Sequence, residues 1–89
     1  MEIVEVEWAE GTREKVITKH RLDPDEVEDS FFEPGVRLQR GRCRRYVLWA
    51  QTPAGAYVLV FFEYDKGRAT VITARRMGEA ERRRFREWT

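Results

Sequence analysis

The first residues of the chain alternate between apolar and charged side chains. Val4, Val6 and Trp8 are separated by Glu5 and Glu7. A period of two is typical of a strand with one buried face, so this segment predicts the first strand of a sheet.

Two helices are predicted after this strand. Residues 11–20 carry a narrow apolar stripe among polar residues, which favours a short amphipathic helix. The second helix should cover residues 24–32, because Asp23 is a good N-cap and Pro24 suits the first helical position. Glu26 follows three residues after the cap, as in a capping box.

From residue 36 onward, β-branched and aromatic runs are separated by turn residues, which predicts a meander of antiparallel strands. The four runs cover residues 36–40, 45–51, 57–64 and 68–75. The first run is polar and is expected at an edge of the sheet. The second and third are the most apolar, so we expect them to be central.

A last helix is predicted over residues 78–88, with Glu81 in the capping-box position and with Phe85 and Trp88 on one face. The sequence therefore predicts an α+β fold, in which an antiparallel sheet carries two N-terminal helices and one C-terminal helix. The expected order is β-α-α-β-β-β(-β)-α. Because 89 residues supply only one core, residues 1–89 should form a single domain.

Composition adds an expectation about location. The one cysteine, Cys43, cannot form an intramolecular disulfide, which favours a reducing compartment. The first residues are acidic, and no apolar run reaches the roughly 18 residues that a membrane span needs. A cytoplasmic protein with no membrane partner is therefore predicted.

Charge is unevenly distributed along the chain. Residues 1–35 hold 4 basic and 11 acidic side chains, a net −7, whereas residues 36–89 hold 13 basic and 5 acidic side chains, a net +8. Guanidinium groups bind phosphate bidentately and stack on bases, so dense arginine beside aromatic strands predicts an RNA surface. The alternative is that these arginines are solvated or neutralise the acidic half of the same fold. The candidate RNA-binding residues are Arg44, Arg45, Arg76, Arg83 and Arg86.

Candidate chemistry is limited to a few side chains. RNA cleavage without metal needs proton-transfer groups and cations around the phosphate, which His20, Lys19, Glu81 and the arginines could supply. His20 could instead cap a helix C-terminus, and Glu81 could serve only in a capping box. One histidine and one cysteine more than twenty residues apart do not form a metal ligand set, so no metal or cofactor is predicted.

The ordered motifs of the chain resemble the BrnT family of type II toxins. They are Trp8, Lys19-His20, the acidic segment 24–28 before Phe31-Phe32, Arg45-Tyr46, Gly55, the run Val71-Ile72-Thr73-Ala74-Arg75, and Glu81-Arg82-Arg83. The resemblance spans nearly the whole chain. It implies a RelE-like fold, a ribonuclease activity that arrests translation, and neutralisation by a BrnA-type antitoxin that also represses the operon.

The resemblance also implies site residues. Lys19 and His20 match the Lys-His of the family, Arg75 its strand-end arginine, and Glu81 with Arg82 its C-terminal Glu-Arg. With these, the sequence predicts a catalytic site made of Lys19, His20, Arg75, Glu81 and Arg82.

Two positions depart from the family pattern. Ala9 follows the early tryptophan, where family members carry an acidic residue. Glu63, Tyr64 and Asp65 end the long central strand, where many members have an arginine.

The leading hypothesis is a metal-independent endoribonuclease toxin with RNA and an antitoxin as partners and a homodimer as a further candidate state. The alternative is a non-catalytic protein that binds RNA or antitoxin and regulates transcription. A third candidate is a purely structural domain.

Overall fold

One five-stranded sheet forms the centre of the molecule, in a computed structural model that describes residues 1–88. The predicted α+β order is confirmed. The elements are β1 (Glu5–Trp8), α1 (Thr12–Thr18), α2 (Pro24–Ser30), β2 (Arg37–Arg40), β3 (Arg45–Gln51), β4 (Tyr57–Asp65), β5 (Arg68–Arg76) and α3 (Glu79–Glu87).

The strands lie in the order β1-β5-β4-β3-β2. Strands β2 to β5 form the predicted antiparallel meander, with β2 at its edge. Strand β1 pairs with β5 in parallel, so the sheet is mixed rather than wholly antiparallel. The predicted closing strand, β5, is consequently an interior strand.

Hydrogen bonds at both ends of β1 hold it in this parallel position. The amide groups of Val4 and Glu5 donate to the carbonyl of Gly67 at 2.8 and 3.2 Å, and the amide of Ala9 donates to the carbonyl of Val71 at 2.9 Å. Ala9 therefore takes part in the sheet through its backbone, whatever its side chain.

Each face of the sheet carries its own core. On one face, α1 and α2 bury Val16 and Val27 against Phe62, all at zero exposure. On the other face, α3 places Phe85 against Trp49 and Leu59. Because successive strand residues point to opposite faces, the apolar stretches in the central strands supply both cores.

Local signals set the helix limits. The side chain of Asp23 accepts a hydrogen bond from the amide of Asp25 at 2.9 Å, which confirms the predicted cap of α2. Helix α1 is shorter than predicted: its N-cap is Gly11, at φ 78°, with no side-chain cap bond, and its C-cap is Lys19. Helix α2 ends at Ser30, with Phe31 as its C-cap.

The sheet has two ends that matter for function. At the end that we call the arginine end, β3 and β5 finish while β4 and α3 begin. At the opposite end, which we call the hairpin end, β2 is joined to β3 and β4 to β5.

Candidate functional site

Two adjoining depressions open at the arginine end. The larger, of about 260 Å³, is lined by Gly55, Ala56, Tyr57, Arg76, Met77 and Arg82. The smaller, of about 190 Å³, is lined by Arg21, Leu22, Asp23, Glu26, Thr52, Ala54, Ala56 and Arg76. Arg76 and Ala56 line both depressions, so the two form one continuous surface.

Arg76 joins this surface to the loop between α1 and α2. It is the last residue of β5, and its guanidinium donates to the carbonyl of Arg21 at 3.0 Å. Lys19 and His20 directly precede Arg21 in the chain. The predicted Lys-His pair is therefore on a loop that is tied to the end of β5.

The same loop has a special backbone conformation. Arg21 has a φ of 54°, in the left-handed region that side chains rarely adopt. The amide of Leu22 donates to the carbonyl of Val16 at 2.9 Å, and the Leu22 side chain is buried. The chain thus turns sharply after α1, and the buried Leu22 anchors this turn. Within it, His20 is half-buried and Lys19 is exposed.

Arg75 and Glu81 form the shortest ion pair of the described residues. The two terminal nitrogens of Arg75 donate to the two carboxylate oxygens of Glu81, each at 2.8 Å. The amide of Gly78 also donates to Glu81, at 2.7 Å, which confirms the capping position predicted for Glu81. Gly78 has no side chain to form the reciprocal bond of a full capping box. The pair therefore fixes the start of α3 to the end of β5.

This arrangement keeps Glu81 ionised. Hydrogen bonds from Arg75 and from the Gly78 amide, together with the charge of Arg75, lower the pKa of Glu81 from 4.5 to about 2. The hydrogen bond to Glu81 raises the pKa of Arg75. A carboxylate with such a low pKa is a poor proton acceptor near neutral pH, so the geometry favours a positioning role for Glu81.

The adjacent arginines 75 and 76 are on opposite faces of the sheet. Arg75 pairs across the sheet with Leu59 and lies 6.0 Å from the ring centroid of Phe61, on the face covered by α3. Arg76 pairs with Val58, which belongs to the core under α1 and α2. Strand alternation therefore separates two side chains that the sequence places together.

Arg82 and Tyr57 complete the larger depression. Arg82 is exposed in the first turns of α3, and the described part of the chain contains no ion pair that involves it. Tyr57 is half-buried, with its ring edge-on to Phe85 at 6.1 Å. Sequence reasoning missed Tyr57 as a site residue. The available signal was an aromatic residue at the start of a strand, two positions after the turn glycine Gly55.

The other arginines of α3 have separate surroundings. Arg83 pairs with Glu79 at 3.8 Å, one helical turn away. Arg86 is exposed on the same helix. Arg84 lies 6.0 Å from the ring centroid of Trp88, as does Arg37 of β2.

Arg44 and Arg45 lie at the hairpin end and not beside the depressions. Arg45 pairs across the sheet with Glu63, and their side chains form an ion pair at 3.5 Å. Glu63 is four positions along β4 from Leu59, the partner of Arg75, which corresponds to roughly 13 Å along the strand. The candidate RNA-binding arginines therefore lie on two separate surfaces.

Residues 1–88 contain no group of three or more His, Cys, Asp or Glu side chains placed to hold a metal ion. None of the helices in this range has the length and apolar character that a membrane crossing needs.

Comparison with solved structures gives an informative match. No protein-family model matches the sequence, and no curated protein is similar to it in sequence. The structure is similar to the crystal structure of the ribonuclease toxin BrnT from Brucella abortus, with a TM-score of 0.69 and 19% sequence identity. The similarity covers 85% of this chain and 99% of that chain. The chain therefore has the BrnT-like fold that its sequence motifs predicted.

Proposed function

We propose that this protein is the toxin of a type II toxin–antitoxin pair and that it inhibits translation as a metal-independent endoribonuclease. One observation supports it most: Arg76 and Arg82 line the same depression beside Tyr57, in a fold shared with a ribonuclease toxin. Two guanidinium groups beside an aromatic ring provide phosphate binding and base stacking together.

Each side chain has a role in this proposal. Arg76 and Arg82 bind the scissile phosphate and stabilise the charge that develops on it. His20 accepts the proton of the 2′-hydroxyl as its oxygen bonds to phosphorus, and Lys19 donates a proton to the 5′-oxygen as its bond to phosphorus breaks. Arg75 and Glu81 are positioning residues, because their ion pair sets where α3, and hence Arg82, lies relative to β5.

The hydrogen bonds that Arg75 makes within the protein favour a second function. Its guanidinium donates twice to Glu81 and once to the carbonyl of Arg76, so three of its five N–H donors are used within the protein. Glu63, which pairs with Arg45, likewise stands with Tyr64 and Asp65 where many BrnT-family proteins carry an arginine. These features favour a non-catalytic protein that binds RNA or an antitoxin and regulates transcription.

Purified protein incubated with total RNA separates the two functions. The variants are His20→Ala and Arg82→Ala, with Arg68→Ala as a matched control, because Arg68 pairs with Glu5 and Glu7 at the hairpin end. We expect degradation in the presence of a chelator. It should be lost in the first two variants and kept in the control.

RNA binding without degradation by the wild-type protein would support the second function. Equal degradation by the wild type and all three variants would place the active site elsewhere.

The proposed partners follow from the same role. RNA is the substrate in the cytoplasm, and an antitoxin of the BrnA type is the protein partner. A second copy of the chain is a further candidate partner, for which measurement of the molar mass in solution is the test.

A further inference from the structure

Strand β2 presents an open edge. Within residues 1–88 it has a neighbour on one side only, β3, and all four of its residues are exposed. The amide of Gly41 donates to the carbonyl of Arg45 at 2.8 Å, which marks these opposed residues as a hydrogen-bonded pair. Because such pairs alternate along an antiparallel ladder, the backbone groups of Leu38 and Arg40 point outward.

The hairpin that contains this edge is strongly basic. Residues 36–45 include five arginines and no acidic residue. Arg45 has a carboxylate partner and Arg37 donates to the carbonyl of Trp88. The ion pairs of the described residues involve none of the remaining three, Arg40, Arg42 and Arg44.

Apolar surface accompanies this charge. The side chain of Leu38 is 45% exposed on the outermost strand. An unpaired strand edge with an exposed leucine and three cations without carboxylate partners is complementary to an extended segment with alternating acidic and apolar residues.

We propose that β2 is the docking site for an acidic, extended segment of a partner protein, which adds to the sheet as a sixth strand. That this partner is the antitoxin rests on the proposed function. The backbone of the segment binds the outward groups of Leu38 and Arg40, and its carboxylates bind the arginines of the hairpin.

The same observations disfavour two other occupants. Single-stranded RNA binds on aromatic platforms, and residues 36–44 contain no aromatic side chain. A second copy of the chain could pair its acidic β1 edge with β2, but this contact would join two different surfaces head to tail. Repeated from copy to copy, such a contact builds an open filament unless the rotation between neighbouring copies closes a ring.

A synthetic peptide tests this docking site on the full-length protein. The probe is an acetylated peptide of alternating glutamate and valine. It has about eight residues, which is within the usual length of a β-strand. A lysine–valine peptide of the same length is its control. With ¹⁵N-labelled protein, we expect the acidic peptide alone to shift the amide resonances of Leu38 and Arg40 and slow their hydrogen exchange. Added salt should weaken its binding.

Two variants separate backbone pairing from charge. Leu38→Pro removes an outward N–H that β3 does not use, so the sheet should persist while peptide binding is lost. Arg40→Glu should weaken binding by at least about tenfold through like-charge repulsion. Lys66→Glu reverses an exposed charge at the same end of the sheet, in the turn between β4 and β5, and it should leave binding unchanged.

Several results would overturn the docking site: no amide shifts at millimolar peptide, shifts at the arginine end, displacement of the peptide by a single-stranded RNA, or self-association through β2. RNA degradation is measured on the same samples. Peptide binding without degradation would contradict the ribonuclease proposal alone, and degradation without peptide binding would contradict the docking site alone.

Discussion

Arg75 and Glu81 join the end of β5 to the first turn of α3 by two hydrogen bonds of 2.8 Å. Their side chains are 42% and 29% exposed, so solvent partly screens the pair. Glu81 also accepts a hydrogen bond from the amide of Gly78. The pair therefore stabilises the fold and also sets the position of Arg82 on α3.

Glu81→Gln should make the protein less stable at neutral pH and less sensitive to acid. The folded pKa of about 2 is below the usual 4.5, so the contribution of Glu81 is full above pH 4.5 and is lost as the pH falls toward 2. After allowance for screening, we expect a loss of about 1 to 2 kcal/mol in the free energy of unfolding at pH 7. Urea denaturation of both proteins at several pH values measures it. A difference that stays constant between pH 7 and pH 2.5 would contradict this role.

Arg82→Ala should weaken RNA binding and its salt dependence together. A lost phosphate contact reduces the slope of log affinity against log salt by about one. Fluorescence anisotropy with a labelled single-stranded oligonucleotide checks both quantities, with Arg68→Ala as the control at the hairpin end. An unchanged slope would show that Arg82 makes no phosphate contact.

Substitutions of Arg21 should depend on backbone conformation. At φ 54°, a β-branched residue is strained, so Arg21→Val should lower the free energy of unfolding by about 1 to 2 kcal/mol. Arg21→Gly should be within about 0.5 kcal/mol of the wild type, because glycine adopts this region without strain. Lys66→Val is the matched substitution, because Lys66 has a φ of 47° in the β4–β5 turn, and it should lower the free energy of unfolding by a similar amount. If denaturation shows a penalty at Arg21 only, side-chain contacts rather than the backbone explain it.

Trp8 and Glu28 should be energetically coupled. The indole N–H of Trp8 donates to the carboxylate of Glu28 at 2.7 Å, which links β1 to α2. A hydrogen bond to a charged group contributes about 1.5 to 3 kcal/mol, so Trp8→Phe should destabilise the protein by at least that lower value. A double-mutant cycle with Glu28→Ala, which removes the acceptor, should give a coupling of about 1 kcal/mol or more. Additive effects would mean that the bond contributes nothing net.

Elements whose signals are local could be predicted from the sequence. Strand β3 was expected over residues 45–51 and is Arg45–Gln51, because turn residues bound an apolar run on both sides. The N-cap of α2 and the capping carboxylate Glu81 were likewise predicted, since each acts within three residues of its partner. The outermost place of β2 followed from its polar composition.

The sequence by itself determined the types and order of the elements and the chemistry that is present, because periodicity and caps are properties of neighbouring residues. Only the tertiary structure decided that β1 lies parallel to β5, since strand pairing joins segments that are distant in the chain. It also decided that Arg76 lies with Arg82 while Arg75 faces the other way and Arg45 lies at the opposite end. A cluster along the chain becomes a surface only when strand alternation and register place its members on one face.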